Sequence, residues 1–133
     1  AGASCAGCAS GGAGSARAAA LRWEVPAAEQ LADEEGGFDF VLCADCVYQP
    51  LYGESWAALA ACIVALCTPR TAALVSVQRR HNDGVERFLA RLASGLRVER
   101  VSTELLGGAN VQIFLARQPR DGEEPGLLSA GGV

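Results

Sequence analysis

The chain has 133 residues, half of them hydrophobic and a fifth charged, which fits one folded domain and excludes disorder throughout. A net charge of −4 argues against nucleic acid as the main partner, because such proteins carry a basic excess. No run of about 18 apolar residues is present to span a membrane.

The chain opens on Ala1, and it contains no methionine and no lysine. It is therefore expected to be a piece or a processed product of something longer. Residues 1–18 form a low-complexity Ala/Gly/Ser segment without an acidic residue. That composition suits a transit peptide or a small-residue insert, and the insert is preferred. "AALRW", 19–23, is a candidate short strand. "FDFVLCA", 38–44, is apolar, rich in strand formers, preceded by "EEGG" and followed by a polar loop, which suits a buried parallel strand. Tyr52, Trp56, Leu59, Ile63 and Leu66 then recur at helical spacing and predict a helix over roughly 51–67, with Pro50 at its start and Thr68-Pro69 at its end.

"AALVSV", 72–77, is a second strand, followed by the polar loop "QRRHND". Asp83 and Glu86 have the spacing of a capping box. Val85, Phe88, Leu89 and Leu92 line a second helix, which Gly95 closes. "LRVERVS", 96–102, and "NVQIFLA", 110–116, are strands, the latter with Val111, Ile113 and Leu115 on one face. Residues 119–133 are Gly-, Pro- and Glu-rich and are expected to be a flexible tail. The order strand, helix, strand, helix, strand, strand indicates an α/β sheet whose last strand is antiparallel.

The six cysteines include two Cys-x-x-Cys pairs, Cys5/Cys8 and Cys43/Cys46. A zinc ribbon wants its two knuckles about 15–20 residues apart, whereas residues 9–42 intervene here. A redox pair wants its cysteines opening a helix, and Pro50 places the helix start after Cys46. Cys43, Cys62 and Cys67 fall inside apolar elements, where a thiol behaves as a small hydrophobe. No metal site is expected, and free thiols favour a reducing compartment, here the cytoplasm.

Asp45 and Tyr48 stand just beyond the strand at 38–44. In an open α/β sheet ligands bind at such carboxyl ends, and a carboxylate there is a poor core residue. "FDFVLCADCVY", the helix after it, "AALVSVQRR", "LRVERV" and "NVQIFLARQ" together resemble the carboxyl-terminal half of the seven-strand, S-adenosylmethionine-dependent protein-lysine methyltransferases, the methyltransferase-16-like family. Its signature is Asp/Glu-x-x-Tyr after the fourth strand, and "LRW" at 21–23 is similar to its Leu-x-Trp. The resemblance covers roughly 19–118. It implies a partial Rossmann-like class I methyltransferase sheet, strands four to seven with two helices. It also implies that Trp23 and Ala44 contact S-adenosylmethionine, and that Asp45 and Tyr48 line the channel for a lysine of a protein substrate.

Each residue has a plainer reading. Trp23 can cap the core, Tyr48 can pack on the helix, and Asp45 can serve the turn. Arg79, Arg80 and His81 share the rim with Asp45; contact with substrate and a solvated loop are both open to them, the solvated loop is preferred, and His81 has no obvious partner. The family's Gly-rich turn and ribose-binding acid have no counterpart in the sequence. Methyl transfer to a lysine side chain is thus expected of the parent protein, with this chain inactive alone. The alternatives are a non-catalytic interaction module on the same fold, a zinc-binding module and a small-molecule methyltransferase.

Overall fold

The computed structural model describes residues 3–4, 13–106 and 109–129. Strands β1 (Ala3–Ser4) and β2 (Arg17–Ala18) form a small antiparallel ladder. Residues 19–23, expected as a strand, lie in no ladder. Leu21 instead packs toward the core, and the Glu24 N–H donates to the Arg22 carbonyl at 2.7 Å. That tight turn bends the chain into helix α1 (Val25–Glu35), which the sequence reading missed. Pro26 sits in its first turn and Gly36, at φ 71°, caps its end, the favoured places for these two residues.

Strand β3 (Phe40–Ala44) leads to the short helix α2 (Gln49–Tyr52) and then α3 (Ser55–Leu66). The helix expected over 51–67 is thus split, at Gly53. Strand β4 (Ala72–Gln78), helix α4 (Val85–Ala93), and strands β5 (Arg97–Leu106), β6 (Ala109–Arg117) and β7 (Gly126–Leu128) follow. Among the described residues no helix is long and apolar enough to cross a membrane.

The main sheet runs β3-β4-β6-β5-β7. β3 and β4 are parallel, and β6 is antiparallel to both β4 and β5. This is the expected partial Rossmann-like sheet with the reversed strand placed inside it, carrying, among the described residues, four helices rather than two. Within the segment expected as a tail, β7 extends the sheet beside β5. Glu123 anchors it by accepting bidentate hydrogen bonds from Arg117 at 2.7 and 3.0 Å. Those bonds, with the Arg120 N–H, hold the Glu123 carboxyl down at about 2.

The register sorts the side chains. Val41, Cys43, Ala73, Val75, Phe114 and Ala116 share one face. Helices α3 and α4 cover it through Leu59, Ile63, Val85, Phe88, Leu89 and Leu92. In β6 the core-facing residues are therefore Phe114 and Ala116, opposite to the Val111, Ile113 and Leu115 set. Those three share the other face with Phe40, Leu42 and Leu74, where Phe40 and Leu42 are 65% and 76% exposed. Helix α1 packs on α3 through Ala28, Ala32, Cys62 and Leu66.

The two faces make opposite forecasts. Phe88 is fully buried, so Phe88→Ala should cost about 3–5 kcal/mol in urea unfolding. Leu42→Lys should change stability by less than about 0.5 kcal/mol, and should reduce self-association in light scattering, because it breaks an exposed apolar face on an edge strand.

Candidate functional site

Parallel pairing ends β3 and β4 at one level, with Ala44 opposite Ser76. The next residue, Asp45, donates its N–H to the Ser76 carbonyl at 2.8 Å and takes the left-handed conformation at φ 51°. Aspartate tolerates that region better than most residues. The turn leaves the Asp45 carboxylate beside the loop after β4. There Arg80 Nη1 donates to Asp45 Oδ1 at 3.2 Å and Arg80 Nη2 to Oδ2 at 3.0 Å. The same Nη2 donates to Gln78 Oε1 at 2.6 Å, and the Gln78 N–H points at Asp45 Oδ1 from 3.4 Å. The Arg80 guanidinium also lies over the Tyr48 ring, 4.9 Å from its centroid, within cation–π range.

Asp83 holds this loop in shape. It is 4% exposed. Its Oδ2 accepts from the Arg80 N–H and from Arg79 Nε, each at 2.9 Å, and its Oδ1 accepts from the Val85 N–H at 3.0 Å. Its backbone carbonyl accepts from the Gln49 N–H at 2.9 Å, which joins the loop to α2. Burial pushes the Asp83 carboxyl up, but the Arg80, Val85 and Arg79 hydrogen bonds outweigh it, and the group lies below its ordinary 3.8. The expected capping box does not form. Gly84 is the N-cap residue of α4, Asp83 is taken up by the loop donors, and Glu86 pairs with Arg79 at 2.9 Å. Gly84 has φ 81°, and a Cβ there would meet Gln49 at 3.0 Å, so both conformation and space demand glycine.

A cleft of about 470 Å³ opens beside Asp45 and is lined by Trp23, Ala44, Asp45, Cys46, Tyr52 and Ser55. Trp23, Ala44 and Asp45 thus meet at one site although Trp23 is remote in sequence. Tyr48 is not among the lining residues, and its ring lies beneath the Arg80 guanidinium. Arg79 and Arg80 are not a freely solvated loop but partly buried: their side chains are 24% and 29% exposed and bonded to acids. The sequence places Arg80 at the rim with Asp45 but favours a solvated loop for it, and it singles out neither Gln78 nor Tyr52 as a residue of this site. The available signal was a strand ending in Gln-Arg-Arg next to the strand that ends in Asp45. His81 is exposed.

The thiols point away from chemistry. Burial, with Cys46 nearby, pushes Cys43 up to about 12, and burial pushes Cys67 up to about 11. Among the described residues no three His, Cys, Asp or Glu side chains are grouped to hold a metal ion. Cys5 and Cys8 lie outside the described residues.

Residues 9–95 match the model of a family described as lysine methyltransferase. The chain belongs to the lysine methyltransferase family. The matched segment carries β3, the Asp45–Tyr48 turn and the Arg80 loop, and stops short of β5 and β6. The chain is also 46% identical over 54 residues to Secreted RxLR effector protein 48 of Plasmopara viticola, a match covering 39% of this chain and 27% of that protein. The chain therefore spans about a quarter of the length of that curated relative.

Asp83 makes a clear forecast for this family member. Asp83→Ala leaves two backbone donors and Arg79 without their acceptor and should cost about 2–4 kcal/mol in chemical denaturation. The pH dependence has a definite sign. A carboxyl held below its unfolded value contributes stability that is present above that value and is lost as pH falls through the folded one. Wild-type stability should therefore fall as pH drops below 3.8, and the slope there should be shallower in Asp83→Ala.

Proposed function

We propose that this chain is the acceptor-binding part of an S-adenosylmethionine-dependent enzyme that methylates a lysine side chain of a protein. One observation carries the reading: the Asp45 carboxylate and the Tyr48 ring converge on a single cation, beside the Trp23–Ala44 cleft.

The cleft residues fit one end of the cofactor. Trp23 and Tyr52, 39% and 51% exposed, offer aromatic surface for a flat adenine, and Ala44 leaves room beside them. Among the described residues Asp45 is the one carboxylate on the cleft wall and is already engaged with Arg80, so groups for the ribose hydroxyls come from beyond these residues. When bound, S-adenosylmethionine supplies an electrophilic methyl group. The chain's own task is to collect and aim a lysine. Asp45 attracts the ammonium, and Tyr48 gives it an aromatic face. Together they fix the direction from which the nitrogen approaches, and alignment of that kind can supply much of the rate. The nitrogen attacks only after losing its proton, and Asp45 lies exposed at the rim, where water can carry that proton away. The free thiols suit the reducing environment of the cytoplasm.

The test is transfer of labelled methyl from S-adenosylmethionine to lysines of a protein extract, using the longest gene product that contains this chain. Asp45→Ala and Tyr48→Ala should each lower the rate about 100-fold, while Trp23→Ala should weaken binding of the cofactor. Full activity in both Asp45 and Tyr48 variants sinks the assignment of the acceptor site. Absence of cofactor binding in the wild type turns the reading to a non-catalytic interaction module.

A further inference from the structure

We propose that Arg80 is a built-in competitor at the acceptor site: its guanidinium occupies the place of the substrate ammonium, and a lysine enters only by displacing it. The inference rests on reading the Asp45–Tyr48 pair as a lysine site.

The geometry has three parts. Arg80 fills both oxygens of Asp45, at 3.2 and 3.0 Å, and covers the Tyr48 ring at 4.9 Å. It therefore uses the two groups that would receive an ammonium. Next, only its side chain needs to move. The Arg80 N–H is fixed on the Asp83 carboxylate at 2.9 Å, and Asn82 and Gly84, both at positive φ, hold the loop's course. Finally, the contact is displaceable. The Arg80 and Asp45 side chains are 29% and 46% exposed, and ion pairs and cation–π contacts at such positions are modest. A swung-out guanidinium would find water, whereas a buried one would not.

The consequence is selectivity. A free lysine side chain exchanges one cation for another and gains little. A protein that adds contacts along the rim can displace Arg80 and hold its own lysine in place. Arg80 thus sets a threshold that distinguishes a docked substrate from a passing one.

The test uses the whole chain and a small probe, Nα-acetyl-lysine methylamide, with the norleucine analogue as the uncharged control. Binding is followed by NMR at the Tyr48 ring, with near-ultraviolet circular dichroism to verify folding. Arg80→Gln should bind the lysine probe about tenfold tighter than wild type, and adding Asp45→Asn should abolish the gain. Arg80→Lys, which keeps charge but loses the bidentate fork, should fall between them and serves if Arg80→Gln fails to fold. Equal lysine binding in wild type and Arg80→Gln overturns the competitor and leaves the lysine site standing. Weaker binding in Arg80→Gln also overturns it and makes Arg80 a positioning residue. If no variant separates the lysine probe from the norleucine control, the lysine reading falls with the competitor.

Discussion

The buried carboxylate of Asp83 gathers donors from both sides of the β4–α4 loop, Arg79 and Arg80 before it and Val85 after it. Its backbone carbonyl reaches across to Gln49 at the start of α2. Four separate pieces of backbone and side chain are thereby fixed relative to one another. Tyr48 immediately precedes Gln49, and Arg80 is one of the donors, so the distance between the aromatic ring and the guanidinium follows from where Asp83 sits. A buried charge is costly unless fully partnered. Here the carboxylate is satisfied from three directions, which makes the loop's shape a condition of burying it.

The sheet supplies the other half of the arrangement. Parallel pairing of β3 with β4 makes the two strands end together, so that Asp45 and the Gln78–Arg80 segment emerge side by side. Placing β6 antiparallel next to β4 brings the start of β6 to this end, where the Asn110 carbonyl accepts from the Arg79 N–H at 2.7 Å. The helices on the sheet's covered face hold the strands rigid, and the cleft opens where Trp23, at the entrance to α1, meets the end of β3. Helix α1 has its own role here. By packing Ala28 and Ala32 against Cys62 and Leu66 of α3, it fixes the position from which Trp23 reaches the cleft.

Much of this was legible in the sequence, for physical reasons. The strands carry apolar runs bounded by turn residues, α4 has strong amphipathic periodicity, and Asp45-x-x-Tyr48 stands at a strand end. What escaped has equally definite causes. The buried face of α1 is made of alanine, too small to mark a hydrophobic period, and only Pro26 with Gly36–Gly37 signalled its ends. The alternation in β6 shows that Val111, Ile113 and Leu115 share a face, but because Phe114 between them is also apolar, only the ladder with β4 selects Phe114 for the core. The capping-box spacing of Asp83 and Glu86 was real, yet donors a few residues upstream, the Arg79 side chain and the Arg80 N–H, took the two carboxylates. The pairing of Arg80 with Asp45 spans 35 residues and is set by strand register, which no local pattern encodes.

That the occupant of the Asp45–Tyr48 pair is an arginine has a chemical consequence. A lysine at position 80 would present an amine that can lose its proton and attack a methyl donor, so the site would risk modifying itself. A guanidinium keeps its proton at any physiological pH and delocalises its charge over a plane that matches both carboxylate oxygens. On the proposed reading it fills the place of the substrate cation without offering a competent nucleophile. The left-handed turn at Asp45 serves the same end, since it sets the carboxylate beside the loop that carries Arg80, at the level where both strands stop. Acid, aromatic ring and guanidinium form a closed set, and on the proposed reading the same acid and ring become a lysine site once the guanidinium moves out.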